Sequence, residues 1–254
     1  MRLINRKSNS QPEVENPYWI SFSDIMAGLL AIFILTLVTL MIQLHHQISI
    51  QKELKEKVEN ALSDLAQVDE IRRELVEEIQ NNLLKKDIRV EIQENHSVIR
   101  IPDDQLYFNS GEHNIIKKLE KLVDQVGAVL EIALSKKNRM AYVDTIFIEG
   151  HTDSLPFRKG EMGNWGLSSY RAIAVWKFWT EKPGNQKSFS KMKNRNDKKV
   201  FSVSGYASSR RLEKTEDTNS KRKRNRRIDI RFAMKIPVAE DLKNILDEFK
   251  KAGS

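Results

Sequence analysis

The chain contains no cysteine. Disulfides and thiolate metal centres are therefore excluded, and this absence assigns neither an oxidising nor a reducing compartment. Long apolar runs are also scarce. There is one, near the N-terminus, in a chain whose mean hydropathy is low at −0.52. No histidine and carboxylate set of metal-ligand spacing is visible, and no nucleophile stands beside a base in a recognisable setting. The sequence therefore argues against an enzyme and against a metal site, and we expect no cofactor.

What is present begins with the apolar run. Residues 25–42 are eighteen without a charge, and only Gly28, Thr36 and Thr39 are not plainly apolar. At 1.5 Å per residue they cover about 27 Å, close to the hydrocarbon core of a bilayer. Tyr18 and Trp19 stand at one end, where aromatic rings favour the membrane interface. A secretory signal is the competing reading, but the run is too long for one and no small-residue cleavage site follows. "QLHHQISIQKELKEK" instead reads as the same helix continuing. We expect a cytoplasmic tail over 1–17 and a single uncleaved transmembrane helix over 18–43. The flanking charges are nearly balanced, with Arg2, Arg6 and Lys7 before the helix and Lys52, Lys55 and Lys57 after it. The tail is placed inside because the other orientation would carry it across the membrane without a signal. Asp24 sits about one turn inside the apolar segment. A bare anion there is several kcal/mol unfavourable, so Asp24 should hold a proton or face a polar path. The plainer alternative is a residue at headgroup level that merely starts the helix.

Residues 44–86 are polar but periodic. Leu54, Val58, Ala61, Leu65, Val68, Leu75 and Ile79 follow steps of three and four, interrupted at Arg72. This heptad-like seam fits a coiled coil with a second copy, or a helical linker or plug lying on its own domain. From Asp87 the period changes. "IRVEIQENHSVIRIP" alternates on both sides of a polar turn, as a β-hairpin does. "NIIKKLEKLVDQVGAVLEIALSKK" and "GLSSYRAIAVWKFWTEK" read as helices, and "YVDTIFIEG", "VFSVSGY" and "RRIDIRFAM" as strands. The expected fold is one α+β domain over 87–236, followed by a tail, 237–254, that could form a short helix.

Two segments of that domain are strongly polar. "EKPGNQKSFSKMKNRNDKK" reads as an exposed loop, and "SSRRLEKTEDTNSKRKRNRR" precedes the last strand. Lys and Arg far outnumber Asp and Glu from Glu181 to Arg231, and this region supplies the chain's net charge of +8. A basic run such as Lys221–Arg227 can bind phosphate backbones. No aromatic residues interleave it and it abuts a strand, so nucleic acid is a minor reading.

Two short stretches could carry chemistry. In "EGHTDSLP", His151, Thr152 and Asp153 emerge where a strand ends. They could be part of a metal site, a catalytic pair, or a turn in which Asp153 accepts from backbone N–H groups. In "NWGLSSYRA", Asn164 can cap the helix, Leu167 faces the domain or a groove, and Arg171 lies one turn beyond Leu167 on the same face. Asp153 could take an ammonium and Arg171 a carboxylate, together holding a zwitterion. The bland alternative is a direct Asp153–Arg171 salt bridge.

With these residues in view, "IEGHTDSLP", "GNWGLSSYRA", "VSGYASSRRL" and "KRNRRIDIRF" resemble the OmpA-like peptidoglycan-binding domain over about 100–235, as does "LYFNSGEHNI". The resemblance implies that Asp153 and Arg171 hold the diaminopimelate of the cell-wall stem peptide, with Thr152, Asn164 and Leu167 in the same site. Gly163 departs from the polar or aromatic residue usual there, so contacts from that position are not carried over. The "NWGLS" form and the insertion "LPFRKGEMG" resemble the MotB branch, as do Trp19, Asp24 and Met26 at the membrane helix. That resemblance implies Asp24 as the ion-carrying carboxylate, with the proton as the expected ion. It also implies a homodimer surrounded by several copies of a MotA-like multi-span A subunit. The protein would be single-pass in a bacterial inner membrane, with its C-terminal domain periplasmic. "WISFSDIMAGLLAIFI" is similar in particular to the B subunits of Zorya anti-phage defence systems, which would add cytosolic effectors acted on indirectly. A flagellar stator subunit and a non-motor peptidoglycan tether are the alternatives.

Overall fold

A computed structural model describes residues 17–109, 111–136, 138–158, 161–184, 187–235 and Asp247. Arg2, Arg6, Lys7 and almost all of the expected C-terminal tail lie outside the described residues. The chain divides into two units, with the break after Glu59. One helix, α1 (Pro17–Leu84), contributes to both.

Within the first unit, α1 turns its apolar side chains outward. Leu29, Leu30, Ile32, Phe33 and Leu35 are all exposed. A helix that is apolar all round and not covered by protein is suited to lipid. Its most apolar 18-residue window has a mean hydropathy of 2.8, and among the described residues it is the one helix long and apolar enough to cross a membrane. The hydroxyls of Thr36 and Thr39 donate to the carbonyls of Phe33 (2.8 Å) and Leu35 (3.0 Å). Both polar groups are thereby satisfied inside the helix, which lowers their cost in hydrocarbon.

The second unit is built on a five-stranded sheet in the order β1-β2-β5-β3-β4. The strands are β1 (Glu91–Gln93), β2 (Val98–Ile101), β3 (Val143–His151), β4 (Phe201–Gly205) and β5 (Arg227–Met234). The hairpin expected around Glu94-Asn95-His96 is present. Gln93 pairs with Val98, and all three turn residues take positive φ. Strands β3 and β4 run parallel, and the other pairings are antiparallel. Helices α2 (Lys117–Leu134) and α3 (Gly163–Thr180) bury Val123, Val126, Leu130, Val175 and Trp179. In the same core lie alternate residues of the sheet, Ile99, Ile101, Ile146, Ile148, Ile228 and Ile230.

The domain core also takes in the end of α1. Leu75, Val76, Ile79 and Leu83 are fully buried, so the domain begins well before residue 87. Two of the seven seam residues, Leu75 and Ile79, are thus used within the domain core. Farther back Val58 is 40% exposed and Leu62 66% exposed. Polar contacts fix the same end of the helix. Glu78 accepts from Lys136 (2.8 Å) and Arg139 (2.9 Å), and these bonds hold its carboxyl below the usual range.

The 181–199 segment departs from the exposed loop expected of it. Phe189 is 1% exposed and packs edge-on against Trp179, with ring centroids 5.4 Å apart. A single aromatic residue anchors an otherwise polar stretch. The segment before β5 holds a short helix, α4 (Asn219–Asn225), capped by the Thr218 hydroxyl, which accepts from the Lys221 amide.

Candidate functional site

Strand β3 delivers two different faces at its end. His151 is the last strand residue and points to the face of the sheet away from the helices, where Glu149 and Asp229 also lie. Thr152 and Asp153 follow outside the strand and line a different cleft. His151 and Asp153, adjacent in the motif, therefore do not share a site.

The Asp153 cleft has a volume of about 380 Å³. Its walls are Phe108 and Gly111 from the segment before α2, the 152–157 loop, Asn164, Leu167 and Arg171 of α3, and Asn219, Arg222 and Arg226 from the α4 region. Two glycines let α3 come this close to the strand ends. A Cβ on Gly150 would stand 2.0 Å from the Ser168 carbonyl oxygen, and one on Gly205 would stand 2.2 Å from the Ser169 hydroxyl. Gly163 opens α3 with φ +50, a left-handed conformation that favours glycine. The backbone thus accounts for glycine at the position where the sequence departs from the family pattern.

Asn164 does not cap α3, because it lies inside the helix, and Met162 is the cap residue. Its side chain instead laces the preceding loop. It accepts from the Phe157 amide (3.0 Å) and donates to the carbonyls of Leu155 (2.9 Å) and Asp153 (3.3 Å). Leu167 is 6% exposed and forms an apolar wall of the cleft. The Thr152 hydroxyl is buried and has no hydrogen-bond partner among the described residues.

The two charged residues do not pair with each other. Asp153 accepts from Arg226 Nη1 at 2.8 Å, and its other oxygen accepts from the Leu155 amide at 3.3 Å. Arg226 also reaches Asp103, with Nη2 donating at 3.2 Å. Arg171 is 3% exposed, yet among the described residues its hydrogen bonds go to the carbonyls of Glu112 (3.1 Å) and Asn109 (3.4 Å) and to no carboxylate. Its guanidinium also lies 5.0 Å from the centre of the Phe108 ring. Burial, together with the charge of Arg226, lowers the Arg171 pKa to about 10, while Asp103 and Asp153 oppose the shift. It therefore stays charged at neutral pH. A buried cation with no carboxylate bonded to it among the described residues, at the wall of a cleft, is suited to an anionic ligand group.

Arg226 and Asp103 escaped the sequence reading. Arg226 is one of six cations between Lys221 and Arg227, and nothing in the run marks it. The same run is largely neutralised internally. Lys221 pairs with Asp217 at 3.0 Å, Arg224 with Glu213, and Arg227 with Asp229 at 3.0 Å. Asn225 is fully buried and binds the 212–216 loop, accepting from the Leu212 amide at 2.7 Å.

On the other face of the sheet, Glu149, His151 and Asp229 bring potential ligand atoms within 4.8 Å of one another. Glu149 and His151, two apart on β3, meet Asp229 from the distant strand β5, a partner invisible to spacing. Each carboxylate is already bridged by guanidinium groups. Arg231 binds Glu149 (2.8 and 3.1 Å), and Arg100 binds Asp229 (3.1 and 3.2 Å). A cation would have to displace arginine, so the arrangement is that of an ion-pair network. Within it, burial and the charge of Arg227 push the His151 pKa down to about 3, so its 3.5 Å approach to Asp229 is made by a neutral ring.

Sheet, cleft and loop together define an OmpA-like domain, and residues 107–226 match the OmpA family. The chain is 26% identical over 248 residues to the uncharacterized protein YtxE of Bacillus subtilis (strain 168), covering 90% of this chain and 93% of that protein. It is 25% identical over 169 residues to Motility protein B of the same organism, covering 66% of this chain and 57% of that protein. Among solved structures, the periplasmic domain of Helicobacter pylori MotB aligns with a TM-score of 0.45 and 21% identity, covering 65% of this chain and 99% of that one. The protein thus carries an OmpA-family domain behind a long apolar helix, and its relatives include a MotB-type protein.

Proposed function

We propose that this protein is the B subunit of an ion-driven, stator-like motor of the bacterial inner membrane, anchored to peptidoglycan through the Asp153–Arg171 cleft. The observation that carries the anchoring is Arg171, a buried guanidinium at the cleft wall whose bonds among the described residues go to two carbonyls and to no carboxylate. A stem-peptide carboxylate supplies the missing counter-charge. Asp153 is available to the ammonium of the same diaminopimelate, because each carboxylate oxygen accepts more than one bond. Thr152, whose hydroxyl has no partner among the described residues, and Asn164 and Leu167 complete the site.

Asp24, on the apolar part of α1, is the ion-carrying group in this reading, and the proton is the ion. A single helix has no channel, so the partner is a MotA-like multi-span subunit in several copies around a dimer of this chain. The N-terminus is cytoplasmic and the domain periplasmic. The sequence around Asp24 favours anti-phage defence of the Zorya type, with cytosolic effectors downstream. The similarity to Motility protein B favours a flagellar stator subunit as the second reading.

The anchoring is tested by pulldown of the detergent-solubilised chain with purified sacculi. Arg171→Ala should reduce the bound fraction at least tenfold, the scale of one charge-assisted contact. Binding equal to that of the unaltered chain would remove the cleft from this role.

A further inference from the structure

The cleft contains more positive charge than a zwitterion needs. Arg171, Arg222 and Arg226 line it against a single carboxylate, Asp153. That balance favours carboxylate groups and works against an ammonium. Arg226 stands directly on Asp153, with Nη1 2.8 Å from Oδ2. Were this pair isolated, Asp153 would already be neutralised and its attraction for a ligand cation largely cancelled.

The geometry points to Asp103 as the residue that restores this attraction. Resting on the reading of a diaminopimelate site, we propose that Asp103 determines the ammonium preference of the cleft by sharing Arg226 with Asp153. Asp103 lies 3.2 Å from the other arm of the same guanidinium and is 7% exposed. Two carboxylates then flank one guanidinium, so this cluster carries one formal negative charge where the Asp153–Arg226 pair alone carries none. Arg171, which lines the same cleft from α3, is left with its positive charge for the ligand's carboxylate. Asp103 does not line the cleft itself, so it acts through Arg226 as a positioning and charge-balancing residue. Its influence extends to α3, since the charge of Asp103 also acts on Arg171.

The test uses the full chain in detergent micelles and two probes, meso-diaminopimelic acid and its amine-free analogue pimelic acid. Calorimetry gives the ratio of the two affinities. The unaltered chain should prefer diaminopimelate. Asp103→Asn should cut that preference about tenfold, the scale of one charge at this separation, and leave pimelate binding equal or stronger. Asp103→Glu should restore the preference. Arg226→Gln supplies a second variant of opposite sign, because it removes the cation and keeps both carboxylates. Its preference should be at least that of the unaltered chain. Pimelate affinity unchanged in Asp103→Asn also shows that the cleft is intact. If Asp103→Asn keeps the full preference, or Arg226→Gln loses it, the proposal is overturned. If the unaltered chain binds neither probe, the diaminopimelate reading itself fails and this inference with it.

Discussion

His151 shows how one residue's surroundings become a property of the whole domain. In the folded chain its ring is 2% exposed and faces Arg227, Arg100, Arg210 and Asp229, and these surroundings hold its pKa near 3 rather than 6.5. The unfolded chain therefore takes up a proton near pH 6.5 that the folded chain refuses. A depressed folded pKa contributes stability that is complete above 6.5 and is lost as pH falls toward 3. Between pH 6.5 and 5 the loss should be about 2 kcal/mol from this residue alone. Urea unfolding followed by the fluorescence of Trp165, Trp176 and Trp179 at those two pH values checks it. His151→Gln should flatten the dependence over that interval, and an equal slope in the variant would assign the titration elsewhere. The residue scale is also where sequence reading reached least far. Asp153 and Arg171 could be singled out because their motifs are short and local. Asp103 and Arg226 could not, because they meet Asp153 only after β5 is laid beside β3, and each looks like its charged neighbours until then.

At the scale of elements, hydrophobic period was a dependable guide. The alternation in β1 and β2, the buried stripe of α2 and the β-branched run of β3 each produced the element expected from them. The exceptions share a physical cause. Helix α4 has no apolar periodicity, since its residues are Asn219 to Asn225 with four cations among them, and its cap and ion pairs hold it instead. Phe189 was hidden by the polarity of its surroundings. Helix α1 is the instructive case, because one periodic seam serves two environments. Where the seam meets the domain, Ile79 is fully buried, whereas Val58 is 40% exposed. Ile79→Ala should therefore cost about 2–5 kcal/mol of domain stability, the range for deleting a buried aliphatic side chain. Val58→Ala should cost under about 1 kcal/mol in the same urea titration. Equal losses at the two positions would mean that the seam is covered along its whole length.

For the whole molecule, the proposed function joins a membrane carboxylate to a cell-wall grip, and neither is useful to a motor without the other. A charge crossing the membrane releases about 2.3 kcal/mol per 100 mV. That energy yields rotation only if one part is held still, which is the role proposed for the Asp153 cleft. A tether that merely binds the wall has no use for a carboxylate at Asp24. Asp24→Asn separates these alternatives, because it preserves size and hydrogen-bonding shape while removing the ability to exchange a proton. In a motor subunit the variant should reach the membrane, assemble with the multi-span partner and bind sacculi as before, yet abolish function. Function is read as phage plating efficiency for the defence reading and as swimming for the flagellar one. Loss of phage protection with intact sacculus binding identifies a defence motor, and loss of swimming identifies a flagellar one. If the variant protects and swims as the unaltered chain does, Asp24 carries no ion and the protein is a tether.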